Sequence, residues 1–414
     1  MPDSLSCYSA DCIEWNKENI QMKKKIQLFI KTKKFEILCL LLSAMMSVLT
    51  MSCKENSIDA GGPPIIKQVR LVDPAKKDST FAKALPGTLI VIQGENLHRV
   101  LKAYFNDFPA PFNAVMNTSD NLIITIPGEV PTAATDPAVS NKIRLVTTHG
   151  ETSFSFTILP PPPVLSSLYC EIVKPNSETY LIGNYFYNVK SVKLGTTPLQ
   201  VVSVTPTLIR VKFPAVITSD FVTVECESGS AKSTVKVNDF TGNMINFDIP
   251  ATSWGSAVCW GDSPIIAETD ADALTGKFAR INDKNLPKTG YNASWVFATC
   301  YFDFKLAAGN ATDKLFKFEH NVKEAWTTGY YEITLNNDYV YKFKPWDNVL
   351  FAKTGYKTEG WSTATISLTE FKNATGLTIA DASKITDLKV SFSNPDAVIP
   401  AFNTGVDNFR IVSR

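Results

Sequence analysis

The chain has 414 residues, more than one ordinary domain, and a prior of about 150 residues per domain points to two or three. Its 41 basic and 40 acidic residues leave a formal net charge of +1, with no basic stripe or long block of like charge. That balance excludes a role built on nucleic-acid phosphate binding, and moderate Gly and Pro usage points to a folded chain rather than a disordered one.

Residues 1–21, including Cys7, Cys12 and Trp15, read as an overextended start, because Met22 opens an export signal cleanly. Lys23, Lys24 and Lys25 through Lys31, Lys33 and Lys34 form its basic region, and Ile37 to Leu49 forms the apolar run. That run is shorter than the roughly 20 residues a membrane span needs. It ends at Thr50-Met51-Ser52-Cys53, which resembles a bacterial lipobox and implies a lipid on the Cys53 thiol, with 22–52 removed. The alternative is a plain secretory signal with Cys53 an ordinary residue. A polar tether, 53–62, follows.

Beyond the tether, short Val-, Ile-, Thr-, Phe- and Tyr-rich runs alternate with Gly, Pro, Asn and Asp clusters, so the chain is expected to be all-β. Pro160-Pro161-Pro162-Pro163 is a stiff connector and separates two copies of one pattern. Gly94, Leu97 and Val100 of the first copy (63–160) match Gly183, Phe186 and Val189 of the second (161–238). Leu122 to Pro127 answers Leu208 to Pro214, and a hairpin around Gly150 answers one around Gly229. Gly94-x-Asn96-Leu97 followed by the Val100 to Phe105 strand resembles the IPT/TIG family, which implies two small Ig-like sandwiches. The second copy departs from that pattern by placing Tyr185 where the first has Asn96.

In residues 239–414 the composition changes. Trp254, Trp260, Trp295, Trp326, Trp346 and Trp361 all lie here, whereas 63–238 holds none. Strands are expected over Lys314 to His320, Tyr330 to Leu335, Tyr339 to Phe343, Thr363 to Leu368 and Phe409 to Val412, as in a larger jelly-roll-like β-sandwich. Sugar rings stack their C–H faces on aromatic rings while their hydroxyls pair with amides and carboxylates. Trp326, Tyr330, Trp346, Tyr356 and Trp361 stand in such polar surroundings and are the candidate glycan-binding residues, with Trp326 and Trp346 foremost. Trp295, inside Ser294-Trp295-Val296-Phe297, reads as core, and Trp361 as strand-end anchor or platform.

The arrangement of Cys53, the segment Asp73 to Thr80, two IPT/TIG-like repeats, a Trp-rich terminal unit and the closing Asp407-Asn408-Phe409-Arg410-Ile411 resembles a known family. It is similar to the surface glycan-binding lipoproteins of Gram-negative polysaccharide utilisation systems. The resemblance implies a non-catalytic protein on the outer face of the outer membrane, held there by its lipid. It also implies a polysaccharide or oligosaccharide ligand and an outer-membrane transporter as partner, with no nucleic acid. Cofactors are expected to be none, apart from a structural calcium of the kind jelly-roll carbohydrate modules often carry, for which Asp270, Asp272 and Asp407 supply oxygen.

Two other readings compete. A glycosidase needs two carboxylates about 5–10 Å apart; Asp303, Glu319, Glu332 and Asp338 qualify by type, yet their strand or turn settings read as a solvated face. His98, His149 and His320 fit no triad or metal motif. An adhesin that grips a protein through its Ig-like domains is the closer rival, since protein hot spots also use Trp and Tyr.

Overall fold

In the computed structural model, residue 22 and residues 61–248, 260–261, 266–267, 271–288, 295–299, 303–348 and 354–414 are described. Alternation builds each sheet: along Lys142–Thr147, Ile143 and Leu145 point into a core while Arg144 stays at the surface. In the first repeat a three-stranded sheet (Ile65–Leu71, Leu89–Glu95, Asn121–Thr125) faces a four-stranded one (Phe108–Ala110, Val100–Phe105, Lys142–Thr147, Gly150–Ser155). Val69, Ile90, Phe105, Leu122 and Leu145 fill the space between them. The second repeat pairs Val164–Leu168, Glu178–Asn184, Leu208–Lys212 and Gln200–Val204 in one sheet. Its other sheet joins Thr197–Pro198, Val189–Leu194, Phe221–Cys226 and Gly229–Lys236. Both are antiparallel sandwiches, as the repeat pattern predicts.

The repeated glycine has a steric cause. A Cβ on Gly94 would stand 1.8 Å from the Ile65 carbonyl oxygen, and one on Gly183 would stand 2.0 Å from that of Val164. At both places the partner strand carries a register shift that brings its backbone in, between Ile66 and Gln68 or between Leu165 and Ser167. Two residues further on, Asn96 (φ 59°) and Tyr185 (φ 61°) occupy the same left-handed turn position. Asn adopts that conformation more readily than Tyr, for which it is strained. The exposed Tyr185 ring does not offset the strain with burial, so Tyr185→Asn is expected to stabilise the second repeat by about 1 kcal/mol. Urea unfolding tests this; an unchanged midpoint would show that the turn carries no strain.

The terminal unit is a larger sandwich. Ile266–Ala267, Phe278–Leu286, Ile399–Ser413, Lys314–Val322 and Ser362–Ser367 lie side by side, with Asn243–Ile245 also paired to Ile399–Ser413. Opposite them run Trp260–Gly261, Trp295–Ala298, Leu388–Ser393, Tyr330–Leu335 and Tyr339–Phe343. Phe297, Phe316, Phe318, Ile333, Val390 and Phe409 lie between the sheets. Of the cysteines in the described residues, Cys170 and Cys226 are free and buried, as small apolar side chains. Cys53, Cys259 and Cys300 lie outside the described residues, as does the signal apart from Met22.

The outer face of the six-stranded sheet is covered by the second repeat. Arg410, 1% exposed, sets its guanidinium against Glu319 at 2.7 and 2.9 Å and against Glu171 of the second repeat at 2.9 Å. Lys317 reaches the other Glu171 oxygen at 2.6 Å. Thr363 ties the two units twice more: its hydroxyl donates to Glu319 and accepts from the Glu171 N–H, and its own N–H donates to the Tyr169 carbonyl. Glu319 therefore does not belong to a solvated face, as its alternating strand suggests. Its face is covered by another domain, which a strand pattern cannot reveal.

Candidate functional site

Parity along Tyr330–Leu335 decides which aromatics reach solvent. Ile333 and Leu335 are in the core, so Tyr331 points inward with them, while Tyr330 and Glu332 point out. On that outer face Glu332 sits between Ser391 and Lys342 of the neighbouring strands, and its carboxylate lies 3.9 Å from the Lys342 ammonium. Lys342 lies 4.9 Å and Lys344 5.3 Å from the centre of the Tyr330 ring. Lys344 also lies 6.0 Å from the Trp346 ring, whose indole N–H donates to the Gly329 carbonyl at 2.7 Å. Tyr330, Lys342, Lys344 and Glu332 thus share one surface strip, and Trp346, in the turn Pro345–Asp347 and partly buried against the core, borders it beside Lys344. It offers two ring systems, two mobile donors and an acceptor, the groups that stack on and hydrogen-bond to a sugar chain. Sequence reading singles out the two aromatics, reads Glu332 as part of a solvated face, and passes over Lys342 and Lys344. The alternation of Lys342-Phe343-Lys344, with Phe343 turned toward the core, is the signal that places both ammoniums on the same side.

The other three aromatic candidates are placed elsewhere. Trp326 is fully buried, packed 5.2–6.1 Å from the rings of Tyr331, Phe343, Phe392 and Phe402, with its N–H given to the Thr328 carbonyl. Its face is not available to a sugar. A loop position four residues before a strand carries no parity, and backbone bonding to Tyr356 draws it inward. Tyr356 is half-buried and stacks on His320, 5.6 Å between ring centres, with its hydroxyl bonded to Nε2. Trp361 stands at the junction with the second repeat, edge-on to Phe278 at 5.2 Å, its N–H donated to the Asp272 carbonyl at 2.6 Å. The side chain of Trp295 lies outside the described residues.

His320 is an interior residue enclosed by Phe318, Phe343 and Tyr356, and burial pushes its pKa down to about 3. The unfolded chain binds a proton near pH 6.5 that the folded chain refuses until about pH 3. Its contribution is therefore complete above pH 6.5 and lost as pH falls through that window, by about 2 kcal/mol at pH 5. His320→Gln should flatten the difference in melting temperature between pH 7 and pH 5. An equal slope in both proteins would place the acid sensitivity elsewhere.

Three of the four carboxylates are placed apart or already engaged. Glu319 and Glu332 lie on the outer faces of opposite sheets, Glu319 is held by Arg410, and Asp303 is bonded to Lys305. Of the calcium candidates, Asp270 lies outside the described residues, and Asp272 is held by Arg280 at 2.7 Å and by Lys323. Asp407 is buried, and burial pushes its carboxyl well above the usual range. Among the described residues no three metal-binding side chains gather.

Comparison with known proteins bears on this unit directly. Residues 237–413 match the family model described as surface glycan-binding protein B xyloglucan binding domain. An IPT/TIG domain-containing protein of Bacteroides ovatus is 32% identical over 232 residues, covering 52% of this chain and 46% of its own length. The chain thus spans about half the length of that curated relative. The crystal structure of surface glycan-binding protein PbSGBP-B from Prevotella bryantii superposes with a TM-score of 0.58 at 21% identity, covering 85% of this chain and 99% of that one. The SGBP-B from a complex xyloglucan utilization locus in Bacteroides uniformis gives 0.51 at 16% identity, with the same coverage. The all-β architecture of two Ig-like repeats and a terminal sandwich is accordingly that of surface glycan-binding proteins of the B type, and residues 237–413 are similar to their xyloglucan-binding domain.

Proposed function

We propose that this protein captures a neutral plant-type polysaccharide at the cell surface and performs no covalent chemistry on it. The observation that carries the reading is the strip formed by Tyr330 on the outer face of a sheet and Trp346 in the turn beyond its edge strand, in the unit that matches a glycan-binding domain. Xyloglucan, which the matched family model names, is the first ligand to test. In this reading Cys53 carries the lipid, the two Ig-like repeats hold the terminal sandwich away from the outer membrane, and a transporter in that membrane receives the sugar. The placing of Glu319 and Glu332 on opposite sheets supports binding over hydrolysis.

Calorimetric titration of the purified protein with xyloglucan, set beside a panel of other plant, fungal and host glycans, tests the proposal. Trp346→Ala should weaken binding about tenfold or more, equivalent to about 1.4 kcal/mol, while melting shows an intact fold. Binding that survives the change moves the site off this strip. Silence across the whole panel, with folded protein, favours a protein ligand for the Ig-like repeats instead.

A further inference from the structure

The junction between the second repeat and the terminal sandwich holds a cleft of about 220 Å³. Lys174 and Thr179 line it from one side, and Asp272, Asn321, Glu359 and Trp361 from the other. The cleft is fixed by bonds that cross the junction. The Lys174 ammonium donates to the Ala271 carbonyl at 2.6 Å, the Tyr180 hydroxyl to Glu359 at 2.7 Å, and the Glu359 N–H to the Tyr169 hydroxyl at 2.9 Å. Two of its polar side chains are uncommitted. Thr179 is 5% exposed and its hydroxyl has no partner among the described residues. Asn321 is 6% exposed and none of the side-chain hydrogen bonds among the described residues involves its amide. Buried polar groups ordinarily find partners, so the Thr179 hydroxyl is an exception, and beside it the Asn321 amide opens into the cleft; together they point to a ligand rich in hydroxyls.

We propose that this cleft is a second sugar site, which takes a single uncharged pyranose ring such as a chain end or a branch. The volume is below the roughly 300 Å³ at which drug-sized ligands begin to fit, which limits the occupant to about one ring. Asp272 is paired with Arg280 and Lys323, Glu178 with Arg210, and Glu359 stands with Lys174 in the same lining, so its charges are close to balanced and give an anionic ring no net attraction. Trp361, anchored by its N–H to the Asp272 carbonyl and braced edge-on by Phe278, is a fixed apolar wall for the C–H side of the ring. Asn321 and Thr179 pair with hydroxyls on the opposite edge. The site rests on the glycan reading above, yet shares no residue with the Tyr330–Trp346 strip. Because its walls come from two domains, it exists only while they are docked.

The test uses the full chain in mild detergent, labelled with 5-fluorotryptophan, and fluorine NMR with the Trp361 and Trp346 signals assigned from Trp361→Phe and Trp346→Phe. The probes are the methyl glycosides of glucose, xylose and galactose at millimolar concentration. One of them should shift the Trp361 signal saturably, and Asn321→Leu combined with Thr179→Val should weaken that titration by about tenfold. A Trp361 signal unmoved by all three, or a double variant that titrates like the parent, overturns the proposal. Xyloglucan added to the same samples separates the two ideas. Polysaccharide binding with a silent Trp361 removes the cleft alone, whereas a responsive Trp361 without polysaccharide binding leaves the cleft standing and removes the surface strip.

Discussion

Arg410→Met should destabilise the terminal sandwich by about 3–5 kcal/mol, because it leaves Glu319 charged, buried and without its counter-ion. Six of the seven tryptophans lie beyond residue 238, so tryptophan fluorescence during urea unfolding reports on this unit. The pH dependence gives the argument a second handle. Burial raises the Glu319 pKa above its usual 4.5 even with Arg410 opposing it, and removing Arg410 raises it further. Between the unfolded and folded values the native state holds the extra proton, so its stability is fullest below about pH 4.5 and declines as pH rises through the folded value. The variant should therefore be penalised most at neutral pH and recover part of its loss in acid. Removing both charges with Glu319→Met and Arg410→Met should bring stability back to within about 1 kcal/mol of the parent, since Glu171 keeps Lys317. A cost under about 1 kcal/mol for Arg410→Met, flat with pH, would mean that water reaches this junction.

Trp326→Ala should cost about 3–5 kcal/mol, as large-to-small changes at fully buried aromatic positions do. Four rings surround the indole, and no neighbour can collapse into its volume without leaving its own sheet position. Such a variant would also lose glycan binding, and a binding assay alone would misread it as loss of a contact residue. Trp326→Phe separates the cases: it keeps most of the packing and should keep binding close to the parent level. If Trp326→Ala melts like the parent and still loses the ligand, the indole reaches the sugar in solution.

The contrast between Trp326 and Trp346 shows what could be read ahead of the structure. The two repeats were legible because each element carries its own evidence: alternating strands, a glycine where two backbones meet, and a turn residue two positions later. The outward orientation of Tyr330 follows from Ile333 and Leu335 in the same way. Trp326 and Trp361 sit in irregular segments, where direction is set by contacts distant in sequence, Phe402 for one and Phe278 for the other. Glu319 failed for a related reason. Alternation separates inside from outside within one sandwich, and it is silent on whether a second domain covers the outside.

The junction also determines how the terminal sandwich can move. Buried charge pairs and backbone bonds fasten it to the second repeat, whereas the first and second repeats are linked through Pro160 to Pro163, the exposed Lys83–Glu227 pair and one bond from Ser228 to the Pro161 carbonyl. Four prolines in extended form span about 12 Å and bend little. A protein built this way has one long rigid forearm, the second repeat with the terminal sandwich, and a stiff wrist between the two repeats. Were Cys53 to carry the proposed lipid, the sugar-binding face would sweep a thin shell above the membrane, with a high local concentration there and a narrow choice of approach angles.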